Sequence, residues 1–336
     1  MKYYDTKSLR AKGLAESSLA REYPFQRLPQ KYKKSVRKEV WELSENSAGV
    51  SISFLSDTTE IVVKWSIKHD LKMNHMTDAG IKGIDLYEKK DNACHYIGTG
   101  LPNGKKNEQT LLKGASKILR EYCLYLPLYD TVTNLQLGLD DDGIFEEAIN
   151  KNLPIVFYGT SITQGGCASR PGLVHTNIIS RKLDHECINL GFSGNGNLEN
   201  SVGFIMSNID ASLYIIECMY NVDKDMVTNS TLPLIKTIRK NPVAKKTPIV
   251  FIEQCIIDLG SIHNEFVNSV IEKNDELNKQ VDNAIDKGEK DLFMIKQIGG
   301  IDEDSEATVD GLHFNDLGFQ RYASHLISNI NDLNIL

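Results

Sequence analysis

The chain has 336 residues, of which 41% are hydrophobic and 25% charged. This balance is typical of a globular protein, and the length allows two domains with a core each. Its net charge of −7 argues against nucleic acid as a partner, because phosphate binding needs clustered Lys and Arg that outweigh the acids locally. No apolar run approaches the roughly 18 to 20 residues that span a bilayer, so no membrane span is expected.

The compartment is predicted from the N-terminus and the cysteines. Residues 1–21 are polar and mixed in charge, without the apolar core of a secretory signal. The six Cys residues contain no Cys-x-x-Cys pair, which favours a reducing compartment. Taken as written, the chain is expected in the cytoplasm, whereas a trimmed signal would place it in the periplasm or outside the cell. The oligomeric state is left open.

The first half of the chain, residues 1–150, is predicted to be a β-sandwich domain that resembles a jelly roll. One helix is expected near Tyr32 to Leu43, with Trp41 packed against the core. Short runs rich in β-forming residues follow, separated by turns rich in Asp, Asn and Gly. The predicted strands cover 50–55, 59–67, 83–87, 95–98, 122–125 and 131–137.

Two binding functions of this half are considered from its residue types. Trp65, Tyr87 and Tyr96 could stack on sugar rings if exposed, although aromatic residues on strands more often belong to the core. The ligand-type residues His69, His75, Cys94 and His95 match no metal-ligand spacing. No metal and no cofactor are therefore expected.

The second half, residues 151–336, alternates strands and helices. Strands are predicted at 155–158, 187–190, 213–217, 248–253 and 292–295, and helices at about 172–183, 198–207, 232–240 and 263–286. A terminal helix carries an apolar stripe from Phe319 to Ile330, and Asn315 or Asp316 could cap its start. Five β-α units of this kind predict a parallel sheet covered by helices on both faces.

A candidate nucleophile follows the first of these strands. The apolar run Ile155 to Tyr158 ends at Gly159, and two hydroxyl residues, Thr160 and Ser161, come next. Parallel α/β sheets bind their ligands at the carboxyl ends of the strands, but a serine is a weak nucleophile until a base takes its proton. Asp310 and His313, three residues apart, could supply that base and the carboxylate that orients it.

These motifs resemble the SGNH (GDSL-like) hydrolases. Gly159-Thr160-Ser161 stands where that family carries Gly-Asp-Ser, and Asp310-x-x-His313 before the last helix resembles the closing block of the family. Two further blocks, 188–195 and 214–221, occur in the family's order. Thr160 in place of the usual Asp, and Met219 and Val222 around the asparagine, are departures that leave the subfamily open. The β-rich first half is similar to that of the two-domain bacterial branch.

The resemblance implies a fold and a set of roles. The fold would be a three-layer α/β/α flavodoxin-like hydrolase domain with a five-stranded parallel sheet. Ser161 would attack an ester carbonyl, His313 would transfer the proton and Asp310 would orient the imidazole. The amides of Ser161 and Gly194 and the side chain of Asn221 would form the oxyanion hole. Thr160, Glu253 and Gln254 are candidate pocket residues, with a strand-end hydrogen bond as the alternative for Glu253 and Gln254.

Several other functions are weighed against this one. The loop 159–166 has no lysine at the position that a phosphate loop requires, and Ser161 is not in a Gly-x-Ser-x-Gly elbow. An acyltransferase with the same triad, and a non-catalytic carbohydrate-binding protein, remain the alternatives. The expected substrates are small esters or acylated carbohydrates. A short acyl group is preferred because no apolar lid is apparent.

Overall fold

The computed structural model describes residues 1–5, 8–91, 93–256, 264–301 and 304–336. In its second half, five strands form one parallel sheet in the order β12-β11-β13-β14-β15. Their bounds are β11 Ile155–Gly159, β12 Cys187–Gly191, β13 Leu213–Glu217, β14 Ile249–Ile252 and β15 Leu292–Ile295. This order reverses direction at β11, which places the end of β11 at the crevice where such sheets bind ligands.

Helices cover both faces of the parallel sheet. Alternate residues of each strand enter two different hydrophobic clusters, as when Val156 and Ile155 of β11 face opposite sides. One cluster contains residues of α5, α6 and α7, and the other contains residues of α4 and α8. The helix bounds are α3 Ser161–Gln164, α4 His175–Leu183, α5 Asn200–Ser207, α6 Lys224–Arg239, α7 Asn264–Asp286 and α8 Asp316–Leu333. The predicted three-layer α/β/α fold is confirmed.

The first half contains two antiparallel sheets that enclose a third hydrophobic cluster. One sheet has the order β1-β9-β4-β7, and the other has the order β10-β3-β8-β5-β6, with β2 paired to β3. This is the predicted β-sandwich. The strands are β1 Lys2–Asp5, β2 Ala11–Lys12, β3 Ser51–Ser56, β4 Glu60–Ile67, β5 Ile84–Lys90, β6 Ala93–Gly100, β7 Lys106–Lys113, β8 Arg120–Tyr125, β9 Val132–Leu139 and β10 Glu146–Glu147. Two short helices, α1 Lys38–Ser44 and α2 Asp78–Lys82, belong to the same half.

The two halves share a core. Tyr32, Val40 and Trp41 are buried in the same cluster as residues of β11, β12 and α5. Arg27 is fully buried, and its guanidinium donates to the carbonyl oxygens of Asn189 (3.0 Å) and Gly191 (2.6 Å). The N-terminal segment therefore packs directly on the parallel sheet.

Some elements differ from those that the sequence predicts. The helix expected at 32–43 is a single 3-10 turn, Gln30–Tyr32, followed by the separate helix α1. Helix α6 begins eight residues before the expected Leu232, because the Asp223 side chain accepts from the Met226 amide (2.8 Å) and caps an earlier start. Strand β7 is missing from the prediction, since it is a largely polar edge strand with an exposed face. The predicted start of α7 at His263 lies outside the described residues.

Where the structure describes the chain, no helix is both long and apolar enough to cross a membrane.

Candidate active site

Ser161 occupies the first position of the short helix α3, directly after β11. The Thr160 side chain caps this helix by accepting from the Ile162 amide (3.3 Å), and the Thr163 hydroxyl accepts in return from the Thr160 amide (3.2 Å). A side chain at Gly159 would lie 1.9 Å from the Thr163 oxygen, so the tight turn requires glycine. Thr160 thus holds the turn through its hydroxyl where the family pattern has an aspartate.

His313 and Asp310 lie in the loop that precedes α8. The Nε2 atom of His313 is 3.0 Å from the Ser161 hydroxyl, and its Nδ1 atom is 2.8 Å from Oδ2 of Asp310. Asn315 caps α8 by accepting from the Gly318 amide (3.0 Å), which fixes the end of this loop. The structure therefore places the three residues in one hydrogen-bonded row.

The Asp310 carboxylate accepts two further hydrogen bonds from the backbone. Its Oδ1 atom accepts from the amides of His313 (2.8 Å) and Leu312 (3.1 Å). Although partial burial opposes ionisation, these bonds and the His313 ring hold the pKa of Asp310 below its ordinary value. The carboxylate is therefore charged at neutral pH.

The predicted oxyanion donors lie in two turns at the same edge of the sheet. Gly194 has φ +66°, in the left-handed region that favours glycine. The Asn221 side-chain oxygen accepts from the Gly196 amide (3.3 Å), which turns its NH₂ group away from that contact. Within the described ranges, the amides of Ser161 and Gly194 and the NH₂ of Asn221 have no acceptor.

The candidate pocket residues Thr160, Glu253 and Gln254 are all buried. Thr160 caps α3, as described above. Glu253 accepts from the Asn278 side chain (2.6 Å) and the Gln297 amide (3.2 Å), and the Gln254 backbone pairs with the Asn274 side chain. Through these contacts, Glu253 and Gln254 support the end of β14. Their role in a pocket stays a prediction.

A buried polar group beneath the nucleophile turn is absent from the sequence prediction. Thr163 donates to Oε2 of Glu217 (2.9 Å), and Nε2 of His175 lies 3.0 Å from the same oxygen. The side chains of Glu217 and His175 are each at most 1% exposed. The sequence indicates only that Glu217 ends a predicted strand and that His175 lies in a predicted helix. It does not reveal that the two side chains meet.

The first half of the chain also reaches the site. The Tyr129 hydroxyl donates to the carbonyl oxygen of Ser161 (3.3 Å), and the Gln164 side chain donates to the Leu128 carbonyl (3.2 Å). The ring of His75 meets the ring of His313 at a centroid distance of 5.6 Å. No local sequence pattern connects these residues with Ser161.

The aromatic residues considered for sugar binding are mostly core residues. Trp65 and Tyr87 are buried, so they cannot stack on a sugar ring. Tyr96 is 48% exposed, but the Arg170 guanidinium lies 4.1 Å from its ring centroid. The favoured interpretation as core residues is therefore confirmed for Trp65 and Tyr87, and the sugar-binding alternative fails for these two.

A serine at the carboxyl edge of a parallel sheet, hydrogen-bonded to a His-Asp pair, is an arrangement that serine hydrolases share. Residues 152–331 match the GDSL-like lipase/acylhydrolase family. Residues 1–145 match the family described as the N-terminus of SGNH-hydrolase-type esterases. The chain belongs to the GDSL-like lipase/acylhydrolase family and is an ester-hydrolysing enzyme.

Solved structures support this assignment. A protein of Bacteroides ovatus that carries the description GDSL-like lipase is 33% identical, with a TM-score of 0.92, over 100% of this chain and 98% of its own. A salicylyl acyltransferase from a tetracycline biosynthetic pathway is 14% identical, with a TM-score of 0.79, over 100% and 98%. A family two carbohydrate esterase from Clostridium thermocellum, in complex with cellohexaose, is 15% identical, with a TM-score of 0.62, over 86% and 94%. These last two show the fold alone. A search of curated proteins finds no match.

Proposed function

We propose that the chain is a serine esterase that removes short acyl groups, with acylated carbohydrates as its substrate class. The observation that carries the proposal is the row Asp310, His313, Ser161, with contacts of 2.8 and 3.0 Å. His313 takes the proton of the Ser161 hydroxyl as that oxygen attacks the ester carbonyl. The charged Asp310 stabilises the imidazolium that forms, and His313 then returns the proton to the leaving alcohol.

The tetrahedral intermediate needs donors that are already in place. The amides of Ser161 and Gly194 and the Asn221 NH₂ group are the candidates, because each is left without an acceptor among the described residues. Preorganised donors of this kind lower the barrier most where charge develops, and losing one costs about 3 kcal/mol. Water then attacks the acyl-enzyme with His313 as the base.

The substrate class has a weaker basis. The Clostridium thermocellum structure of the same fold is a carbohydrate esterase in complex with cellohexaose, which supports a sugar ester here. Glycines and polar side chains, namely Gly166, Gly194 and Asn221, lie next to the candidate nucleophile or carry its oxyanion donors. A long acyl chain would gain little from such neighbours, since its binding depends on burying apolar surface.

The test is a series of p-nitrophenyl esters, from acetate to octanoate, with an acetylated oligosaccharide as a second substrate. We expect acetate to be cleaved fastest and Ser161→Ala to be inactive with an unchanged melting curve. A fluorophosphonate should label the wild type and not the variant. Turnover by Ser161→Ala would remove Ser161 from the mechanism, and faster cleavage of octanoate would overturn the short-acyl preference.

Hydrolysis and acyl transfer are separated in the same assay. The salicylyl acyltransferase of the same fold makes transfer the second candidate. Adding an alcohol acceptor at increasing concentration should leave the free acid as the main product if water is the natural acceptor. A main product that carries the acyl group on the added alcohol would favour the transferase.

A further inference from the structure

Three residues with metal-binding side chains meet beside the nucleophile. His75, Cys167 and His313 each offer one ligand atom, and these atoms all lie within 4.8 Å of one another. They come from separate stretches: the segment before α2, the loop after α3, and the loop before α8. Imidazole nitrogen and cysteine sulfur are the ligands that Zn²⁺ prefers in proteins.

The hydrogen bonds at Nδ1 of the two histidines leave Nε2 as the nitrogen that carries a lone pair on each ring. Nδ1 of His313 faces the Asp310 carboxylate at 2.8 Å, so this nitrogen donates its N–H, and Nε2, which faces the Ser161 hydroxyl at 3.0 Å, carries the lone pair. Nδ1 of His75 lies 3.1 Å from the side-chain oxygen of Asn74, which accepts only, so Nε2 of His75 is free as well. A carboxylate behind a metal-binding histidine is the usual outer partner of such ligands.

The third residue offers a free thiol. Cys167 is buried, belongs to no disulfide, and has φ +72°. Ligand atoms around a tetrahedral Zn²⁺ are about 3.5 Å apart, given bond lengths of roughly 2.0 to 2.3 Å. Closing the group therefore needs movements of about an ångström, which the solvent-accessible side chain of His75 can supply.

We propose that His75, Cys167 and His313 form a site for Zn²⁺, or for a divalent cation of similar softness, and that the bound ion switches the esterase off. The cation would occupy the Nε2 lone pair of His313, which must accept the Ser161 proton during catalysis. The Cys167 thiol loses its proton to solvent as the Zn–S bond forms, and water or the Ser161 hydroxyl takes the fourth position. Ion binding and turnover therefore exclude each other.

Binding is tested without any enzymatic readout by adding Co²⁺ to the chelator-treated full chain. We expect one equivalent to produce the absorption bands of tetrahedral cobalt, with a near-ultraviolet band from cobalt–thiolate charge transfer. Cys167→Ala should lose that charge-transfer band, and His75→Ala should weaken cobalt binding at least tenfold, since even outer-shell losses cost roughly 10- to 100-fold. His69→Ala, an exposed histidine of the same segment, is the matched control and should bind cobalt like the wild type.

The consequence for activity is tested with Zn²⁺ and p-nitrophenyl acetate, each rate being divided by the same variant's rate in EDTA. Zn²⁺ should inhibit the wild type, EDTA should reverse the inhibition, and the half-inhibitory concentration should rise at least about tenfold in His75→Ala. No charge-transfer band, or the same band in Cys167→Ala, would disprove the site. Equal inhibition of wild type and His75→Ala would disprove the switch.

This second arm rests on the proposed role of His313, whereas the cobalt arm does not. If Ser161→Ala remains active, the proposed mechanism fails while cobalt binding still decides the metal site. If Ser161→Ala is inactive and cobalt does not bind, the metal site alone fails.

Discussion

The Asp310 carboxylate is held by backbone hydrogen bonds as well as by its contact with the His313 ring. One oxygen faces the His313 ring and the other accepts from two consecutive backbone amides. Because the backbone amides of Leu312 and His313 hold the carboxylate, its position does not depend on the His313 side chain that it orients. Although partial burial opposes ionisation, hydrogen bonds to the backbone and to the His313 ring keep the pKa of Asp310 below its ordinary value, so the carboxylate is charged at neutral pH.

Replacing this carboxylate by an amide tests its role at the scale of a single residue. Asp310→Asn should preserve the fold and lower kcat by up to about 10⁴-fold, the loss measured for the equivalent change in a serine protease. The reason is that an amide no longer secures the tautomer with a free Nε2. Steady-state kinetics with p-nitrophenyl acetate measure the loss, and Asp332→Asn, an exposed change on α8, is the control.

The double variant with His313→Ala shows whether the two residues act together. If they do, the combined loss should be close to that of His313→Ala alone, because either change disables proton transfer. A double variant that shows the full product of the two single losses would mean independent roles, and the assignment of Asp310 would fall.

At the scale of elements, α7 supports the turn that carries Asn221. Lys273 reaches from this helix and donates to the carbonyl oxygens of Met219 (2.7 Å) and Val222 (3.2 Å), on either side of Asn221. Burial lowers the pKa of Lys273 to about 8, against the opposing effect of Asp223. Lys273 thus joins α7 to one side of the candidate oxyanion hole.

Lys273→Met keeps the length of the side chain and removes the donor. We expect kcat to fall roughly tenfold with KM little changed, less than the hundredfold or more that follows outright loss of an oxyanion donor. Lys279→Met is the control, because Lys279 lies on the same helix, is 73% exposed and pairs with Glu276 (3.4 Å) instead of the turn that carries Asn221. A rise in KM with kcat unchanged would contradict a role through Asn221.

The same variant has a signature in the pH dependence of stability. Since the pKa of folded Lys273 lies below its ordinary value, the unfolded chain binds the extra proton above about pH 8. This residue therefore makes the free energy of unfolding rise with pH between about pH 8 and its ordinary pKa. Denaturant unfolding below and above pH 8 should show a smaller rise for Lys273→Met than for the wild type.

The elements that the sequence predicts correctly are those whose pattern of apolar residues lies within a short stretch of the chain. The strands β13 and β15 match the expected bounds, because a strand buried on both faces reads as an unbroken apolar run. The apolar stripe of α8 can likewise be recognised without knowing which elements the helix packs against. Lys273 could not be predicted in this way, since its partners are carbonyl oxygens, which every residue has.

The same limit applies to the candidate site. Ser161, Asp310 and His313 are recognisable because each lies in a motif with its own spacing. His75 and Tyr129 lie in no motif, and only the packing of the sandwich on the parallel sheet brings Tyr129 to Ser161 and His75 to His313. Residues that act from another domain are therefore invisible to a sequence-based reading.

At the scale of the whole molecule, an N-terminal segment of the chain that precedes the β-sandwich strand β3 completes the hydrophobic core of the second half. Leu28, Tyr32, Val40 and Trp41 are each at most 4% exposed, and they lie in the cluster that covers one face of the parallel sheet. Arg27 adds hydrogen bonds to the carbonyls at the end of β12, with its guanidinium 5.0 Å from the Phe192 ring centroid. These contacts cross the predicted boundary between residues 1–150 and 151–336, and the division itself stays a prediction.

A fragment of residues 151–336 should therefore fail to fold as a stable enzyme. Four buried side chains of this kind contribute about 6 to 12 kcal/mol at roughly 1.5 to 3 kcal/mol each, which equals the net stability of many domains. We expect the fragment to bind a hydrophobic dye, to lack a cooperative melting transition and to show no esterase activity.

The control is the full chain with a protease site placed in the exposed turn 140–143 and cut after folding. This nicked protein should stay associated and active, because the core formed before the cut. A fragment that melts cooperatively and hydrolyses esters would show that residues 151–336 are an independent domain after all.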